Sequence, residues 1–361
     1  MCIRDSWWEV FGDPELNQLV EEVLRNNWDI KRATARILET RYQYIQVRAD
    51  RFPGFDVDGG YDRRKTGGGS TDKGVTFDSY DIGLAAAYEL DLWGRLASAS
   101  EAAKNEILQA EENRITISQT VVAETVILYL QIEALERRIQ IAHESVKAFQ
   151  RSLEFVNIRF RRGLVSALDV RQARRILAGA EARLPQLEQD LGINQQQLSV
   201  LLGRYPETKP PRPHPEDYYK RLAPVPAGLP SELLLRRPDI RSAVAQLKTL
   251  NERIGVAKAK RFPTITLTGS YGYASGDLDN LVQISSEYWN LKLRIFQPIF
   301  DAGRLKAGQQ AAEARYQQQA AAYAKAFLAA FSEVEGSLLA REKQLERRER
   351  NLRFLEEDRA T

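Results

Sequence analysis

The sequence predicts a mainly α-helical chain with two β-hairpins able to face a membrane, built as two copies of one pattern. Three observations lead there: an internal repeat, two runs of strict alternation in each copy, and an apolar seam at heptad spacing. Asp29 to Tyr61 lines up with Asp239 to Tyr271 at a constant offset of 210, without a gap. Arg51-Phe52-Pro53 meets Arg261-Phe262-Pro263, and Gly59 and Tyr61 meet Gly269 and Tyr271. Further on the offset becomes 209, where Gly94-Arg95-Leu96 matches Gly303-Arg304-Leu305 and Glu124 matches Glu333. A period this long marks a duplicated domain rather than a short solenoid repeat, because each copy holds several elements.

In the first copy, residues 7–205, a helix is expected to begin after Asp13-Pro14 and to run toward Arg51, where Phe52-Pro53 stops it. A strand at about 53–62 carries Phe55, Val57, Gly59 and Tyr61 on one side and Asp56, Asp58, Gly60 and Asp62 on the other. Lys65 to Lys73 reads as a loop, and its glycines Gly67 to Gly69 lack the ending of a phosphate loop. The second strand, about 76–92, sets Tyr80, Ile82, Leu84, Ala86, Tyr88, Leu90 and Leu92 against Asp81, Gly83, Ala85, Ala87, Glu89 and Asp91. Such a run fits a soluble sandwich, and it also has the about 9 to 11 residues of a tilted membrane strand.

The second copy decides between them. Its strands are expected at about 263–274 and 286–300, and Tyr80, Ile82, Leu84 and Ala86 correspond to Trp289, Leu291, Leu293 and Ile295, with Asn290, Lys292 and Arg294 opposite. Both copies start an apolar face with an aromatic and keep polar groups behind it, as in an interfacial girdle above a lipid-facing band. Tyr80, Ile82, Leu84, Trp289, Leu291 and Leu293 are therefore assigned to lipid, and Asp81, Glu89, Asn290, Lys292 and Arg294 to a water-filled lumen.

The period then changes. Leu128, Ile132, Leu135, Ile139, Ala142, Val146, Phe149, Leu153, Val156 and Phe160 recur at spacings of 4 and 3, which is a coiled-coil seam. A helix from Arg95 to Phe160 spans roughly 100 Å, far more than a compact globule needs. Arg162-Gly163 ends it, and a return seam from Val170 through Leu177, Leu184, Leu191 and Leu198 to Leu201 completes an antiparallel hairpin over 95–202, with Pro185 expected to kink the return helix. Residues 206–230 are a proline-rich linker. The second copy, 231–361, is expected to end in a long helix over 303–361 and to stop before its own tip, since Thr361 matches position 152.

Composition excludes several classes. Lys plus Arg number 52 against 49 for Asp plus Glu, with signs interspersed, so nothing argues for nucleic acid. One Cys and two His exclude a disulfide framework and argue against a metal site or cofactor. No run approaches 18 consecutive apolar residues, so no membrane-spanning helix is expected, which leaves barrel strands open. Met1 to Ser6 lacks the pattern of a signal peptide and is read as a non-native leader. Cys2 is a candidate lipid anchor, but with no export signal before it the incidental reading is preferred. No nucleophile and base come together, His143 lies beside the seam and His214 in the linker, and Asp81, Glu89 and Asp91 are better explained as lumen lining than as a carboxylate site. A soluble coiled-coil scaffold or periplasmic adaptor is the alternative; it explains the hairpin but not the paired alternating strands.

Several motifs together resemble the TolC-like outer-membrane efflux factors, nearest the OprM and NodT branch. Trp8 to Asp13-Pro14 with Leu16 and Leu19, Asn27-Trp28-Asp29-Ile30, Leu229-Pro230-Ser231 with Leu233-Leu234, Arg237-Pro238-Asp239-Ile240, Phe262-Pro263, Phe300-Asp301-Ala302-Gly303-Arg304 and Leu184-Pro185 with Leu201-Leu202-Gly203 carry the likeness, over Trp7 to Thr361. The resemblance implies a homotrimer in which each subunit gives four strands to one transmembrane β-barrel and its helices to one periplasmic α-helical tunnel. It implies a passive, non-enzymatic exit duct in the outer membrane, joined to a periplasmic adaptor and an inner-membrane transporter. The turn Gly163, Leu164, Val165, Ser166, Leu168 and Asp169 resembles the adaptor-docking tip. Asp169 also resembles an aspartate at the periplasmic constriction, with an ordinary helix-start acid as the alternative.

Overall fold

The computed structural model describes residues 6–67, 74–211 and 236–360. Cys2, Gly68, Gly69, His214, Leu229-Pro230-Ser231, Leu233-Leu234 and Thr361, with most of the linker 206–230, lie outside the described residues. The chain divides into two compact units whose borders do not follow the repeat: described residues up to Ala35 with those from Arg114 to 211, and Arg36–Asn113 with the described residues from 236 on.

The first unit is helical. A 3-10 turn, Trp7–Phe11, precedes α1, Pro14–Asn26, whose N-cap Asp13 accepts from the amides of Glu15 and Leu16. The single first helix expected from sequence is instead two, because α2, Trp28–Ala49, begins afresh at Asn27. Asn27 turns extended at ψ 132. Its Oδ1 accepts from Asp29 and Ile30 N–H at 2.9 and 3.2 Å, and its Nδ2 donates to Leu201 O at 2.9 Å. An asparagine that caps the next helix and reaches a distant carbonyl outweighs helix continuation.

Three more helices contribute to this unit: α3, Arg95–Arg161, from Arg114 on, α4, Ala167–Glu181, and α5, Leu184–Leu201. The expected kink at Pro185 divides the return helix into α4 and α5, with Ala182 and Arg183 between them still in right-handed conformation. Proline cannot donate the hydrogen bond that would join α4 to α5, and it sits in the first turn of α5, where a missing donor costs nothing. Leu16, Val20, Val122, Val126 and Tyr129 form one core, and Val23, Ile30, Val121 and Leu202 another. Leu16, Val20 and Val23 are fully buried, each worth about 1.5–3 kcal/mol of transfer free energy. The Tyr129 hydroxyl donates to Asp13 Oδ2 at 2.6 Å, tying the α1 cap to α3. One stretch of α3 is long and apolar enough to cross a membrane, contrary to the sequence expectation; Val121, Val122, Val126 and Tyr129 nevertheless pack in these two cores. The heptad seam buries Ile132, Leu135 and Ile139 against Leu191, and loosens toward the turn, where Phe149 and Phe160 are exposed.

The second unit joins the two copies in one sheet. β1, Gly54–Lys65, β2, Thr76–Leu90, β3, Thr264–Ser275, and β4, Glu287–Phe296, pair antiparallel in the order β1-β2-β3-β4. Each copy enters the sheet after a helix stopped at Phe-Pro and leaves it through a left-handed glycine, Gly94 at φ 72 and Gly303 at φ 83. Trp93 ties the two corners together: its indole N–H donates to Pro263 O at 2.7 Å, and its ring stacks on Phe262 at 4.9 Å. The helices α6, Pro238–Ala259, and α7, Arg304–Ala360, pack through Ile240, Ala330 and Phe327. Arg241 pairs with Glu112 at 2.5 Å, and Arg253 pairs with Glu106.

Candidate functional site

Side chains directly paired across an antiparallel ladder share a face, so the register sorts the sheet. Tyr61, Tyr80 and Ser275 share one face, as do Val57, Leu84, Tyr271 and Trp289; Gly59, Ile82, Tyr273 and, at the start of β4, Glu287; and Phe55, Ala86, Gly269 and Leu291. Tyr88, Leu267 and Leu293 continue it, and Leu90, Ile265 and Ile295 close it. All six residues assigned to lipid thus stand on one face of one sheet. The opposite face brings together Asp56, Asp58, Asp81, Glu89, Asn290, Lys292 and Arg294, including all five assigned to the lumen.

The apolar face has no cover among the described residues. Trp289 is 74%, Leu291 69% and Leu293 60% exposed, while Ile82 and Leu84 are close to half exposed. A continuous apolar surface of this extent on a four-stranded sheet needs an apolar medium or partner. On the polar face Glu89 grips the Arg95 guanidinium with both oxygens, at 2.9 and 2.7 Å, and so holds the start of α3. Asp91 helps from the strand end, accepting from Leu96 and Ala97 N–H. The residues named from sequence as lipid- or lumen-facing all lie on β2 and β4; the register adds Phe55, Val57 and Tyr61 of β1 and Ile265, Leu267 and Tyr271 of β3 to the same apolar face.

The tip is a compact turn. Gly163 stands at φ 72, and Leu164 N–H bonds back to Arg159 O, closing α3. Ser166 caps α4: its Oγ accepts from Asp169 N–H, while Asp169 Oδ2 accepts from both Ser166 N–H and its hydroxyl at 2.7 Å. The Ser166 hydroxyl, followed by its amide, holds the Asp169 carboxyl below the usual carboxylate range. Asp169 thus serves the turn as a cap through Oδ2. Leu164 and Leu168 are 62% and 71% exposed, whereas Val165 is half-buried and Val170 buried.

The Arg237-Pro238-Asp239-Ile240 motif is a strut between helices. Arg237 reaches Asp239 and Glu333, each at 2.8 Å, and Ile240 is buried behind it. The Asp239 and Glu333 carboxylates raise the Arg237 guanidinium above its ordinary value, and Arg237 in turn lowers Asp239. Among the described residues no group of His, Cys, Asp and Glu has the arrangement of a metal site.

Comparison with known proteins agrees with this architecture. Residues 19–204 and 229–355 match the family described as "Outer membrane efflux protein". The solvent efflux pump outer membrane protein SrpC of Pseudomonas putida is 36% identical over 338 residues, covering 92% of this chain and 71% of that one. Among solved structures, CusC superposes with a TM-score of 0.88 at 32% identity, covering 97% of this chain and 80% of that one. The outer-membrane channel OprN does so at 0.87 and 32%, covering 94% and 77%. These matches favour a duct over a soluble adaptor. The chain belongs to the outer membrane efflux protein family, and is a channel component of an efflux system of the outer membrane.

Proposed function

We propose that three copies of this chain close into one barrel, to which each gives four strands, and act as the passive exit duct of a tripartite pump. The observation that carries this reading is the sorted sheet: one face apolar and uncovered, the other lined by Asp, Glu, Asn, Lys and Arg, with β1 and β4 left as open edges. A sheet in lipid leaves no edge unpaired, since each bare amide or carbonyl there costs several kcal/mol. β1 and β4 run antiparallel in the meander, so β4 of one copy joins β1 of the next without changing the sheet's character. The apolar face then meets lipid and the polar face surrounds water. No catalytic step is assigned to the chain; cargo passes along the lumen as the inner-membrane transporter delivers it.

The tip from Gly163 to Asp169 is the docking point for a periplasmic adaptor. Its capped turn is rigid, and Leu164 and Leu168 offer exposed apolar contacts to a partner helix. Docking opens the duct by untwisting helices at that end. In the test of the ring, protein extracted from outer membranes in detergent runs unheated at three times the chain mass and falls to one chain on boiling. Release without detergent as a single chain would overturn the reading. For the tip, Leu164→Glu is expected to abolish efflux with the three-copy band intact, and full efflux would refute the docking assignment.

A further inference from the structure

The polar face of the sheet separates its charge between its two edges. On β1 the column is Asp56, Asp58, Gly60 and Asp62, with Arg64 at its far end; on β4 it is Asn290, Lys292 and Arg294. Neither column finds its opposite beside it. Asp56 and Asp58 face Ala85 and Gly83 of β2, while Lys292 and Arg294 face Thr268 and Thr266 of β3. Asp62 is held by Arg64 at 2.9 Å, but Asp56, Asp58 and Lys292 have no ion-pair partner among the described residues. Among the described residues Arg294 meets the Phe296 ring, at 5.7 Å, and no carboxylate.

We propose that these two columns are the recognition code of the seam between copies: the acidic edge of one chain accepts the basic edge of the next, on the lumen side. The inference rests on the barrel reading above and adds what selects the pairing. An edge strand pairs readily with any other edge, including its own copy. Here β1 against β1 sets the Asp56 to Asp62 run against itself, and β4 against β4 opposes Lys and Arg to Lys and Arg, and like charges directly opposite are unfavourable. Only β1 against β4 is complementary. That rejects a closed pair built on a two-fold axis and selects head-to-tail addition, which closes as a ring.

The register supports the match. Through the ladder Gly54 stands level with Ala87, Thr268 and Lys292, and Gly59 level with Ile82, Tyr273 and Glu287. The first residue of β4 therefore reaches only the middle of β1, and the half of β1 toward Lys65 has no counterpart at that level. Barrel closure demands a stagger, and it must be even to keep side chains on their faces. Sliding the neighbour's β4 by four residues toward Lys65 sets Lys292 opposite Asp58 and Arg294 opposite Asp56. Sliding it by six sets Arg294 opposite Asp58 and Lys292 opposite Gly60, between Asp58 and Asp62. Both staggers that restore overlap bring the columns together.

The test uses the full chain in outer membranes, with Cys2→Ser to remove its one cysteine. Oxidising Asp58→Cys with Lys292→Cys, or Asp58→Cys with Arg294→Cys, is expected to link copies into a band of three chains under denaturing conditions. Lys292→Asp with Arg294→Asp is expected to lower the temperature at which the unheated three-copy band dissociates. Adding Asp56→Lys and Asp58→Lys to that protein is expected to restore it. A three-copy band that forms with neither cysteine pair linking, or that keeps its dissociation temperature after reversal, overturns the seam code and leaves the ring standing. Failure of the four-fold swap to recover what the reversal lost also overturns it. A wild-type chain with no three-copy band defeats the ring itself.

Discussion

At the corner where strand becomes helix, the first copy turns through Gly94 at φ 72 and the second through Gly303 at φ 83. Both also bury the isoleucine that follows their helix start, Ile30 at 4% and Ile240 at 1% exposure. On the sheet the copies part company. The first puts Asp56, Asp58, Asp81 and Glu89 on the polar face, the second Lys292 and Arg294. The first grips the start of its long helix through Glu89 and Arg95, where the second has Pro298 in place of the acid. Duplication has kept what the backbone needs and changed what water and partners meet. A duct made of one repeated unit would have matching edges; these two copies give each chain one acidic and one basic edge.

The largest expected effect lies where the copies join. A side chain at Gly272 would run into the Ile82 carbonyl and lie 2.7 Å from Gly83 Cα, both backbone atoms that cannot swing aside. At Gly269, in the same strand, the nearest atoms are an ordinary 3.6 Å away. Gly272→Ala is therefore expected to abolish the assembled three-copy form and Gly269→Ala to leave it, read on unheated gels. Next come the equivalent isoleucines. Ile30→Ala and Ile240→Ala should each cost about 2–5 kcal/mol in denaturant unfolding, similarly in the two copies. A much smaller loss at one would show that the copies do not carry equal loads.

The corner glycines come third: Gly94→Ala and Gly303→Ala should each cost about 1–2 kcal/mol, because alanine resists the left-handed region. The smallest effect is a pH dependence confined to the second copy. Arg237 lowers Asp239 below its unfolded value, so the pair's contribution is complete above the ordinary carboxylate range and is lost as pH falls through the depressed value. Amide-exchange protection at the start of α6, measured against the intrinsic rate at each pH, should fall below about pH 4, and Asp239→Asn should flatten that response. At the start of α2 the carbonyl of Asn27 takes the capping role and does not titrate, so no matching acid response is expected there.

Much of this was legible in the chain itself, because the relevant signals are local. Period-two alternation from Phe55 to Tyr61 and from Tyr80 to Leu90 reports a face whatever the strand later pairs with, and the register kept every residue on its expected side. The heptad spacing from Ile132 to Ile139 likewise forecast a buried stripe. What escaped depends on partners distant in sequence. The break at Asn27 is fixed by Leu201 O, and the Arg237 strut needs Glu333. The adjacency of β2 and β3 cannot be read from a repeat, which shows two hairpins but not that they share one sheet. The packing of Val122, Val126 and Tyr129 of α3 likewise depends on Leu16 and Val20 of α1.

The central claim, that this sheet separates lipid from water, is tested most directly by placing a nitroxide at successive positions of β4 from Tyr288 to Phe296 in the assembled protein. Oxygen, which concentrates in lipid, should collide most with labels at Trp289, Leu291, Leu293 and Ile295. A water-soluble nickel chelate should favour Asn290, Lys292 and Arg294. The two profiles should alternate out of phase along the strand. In-phase profiles, or labels equally open to the chelate at every position, would contradict the account.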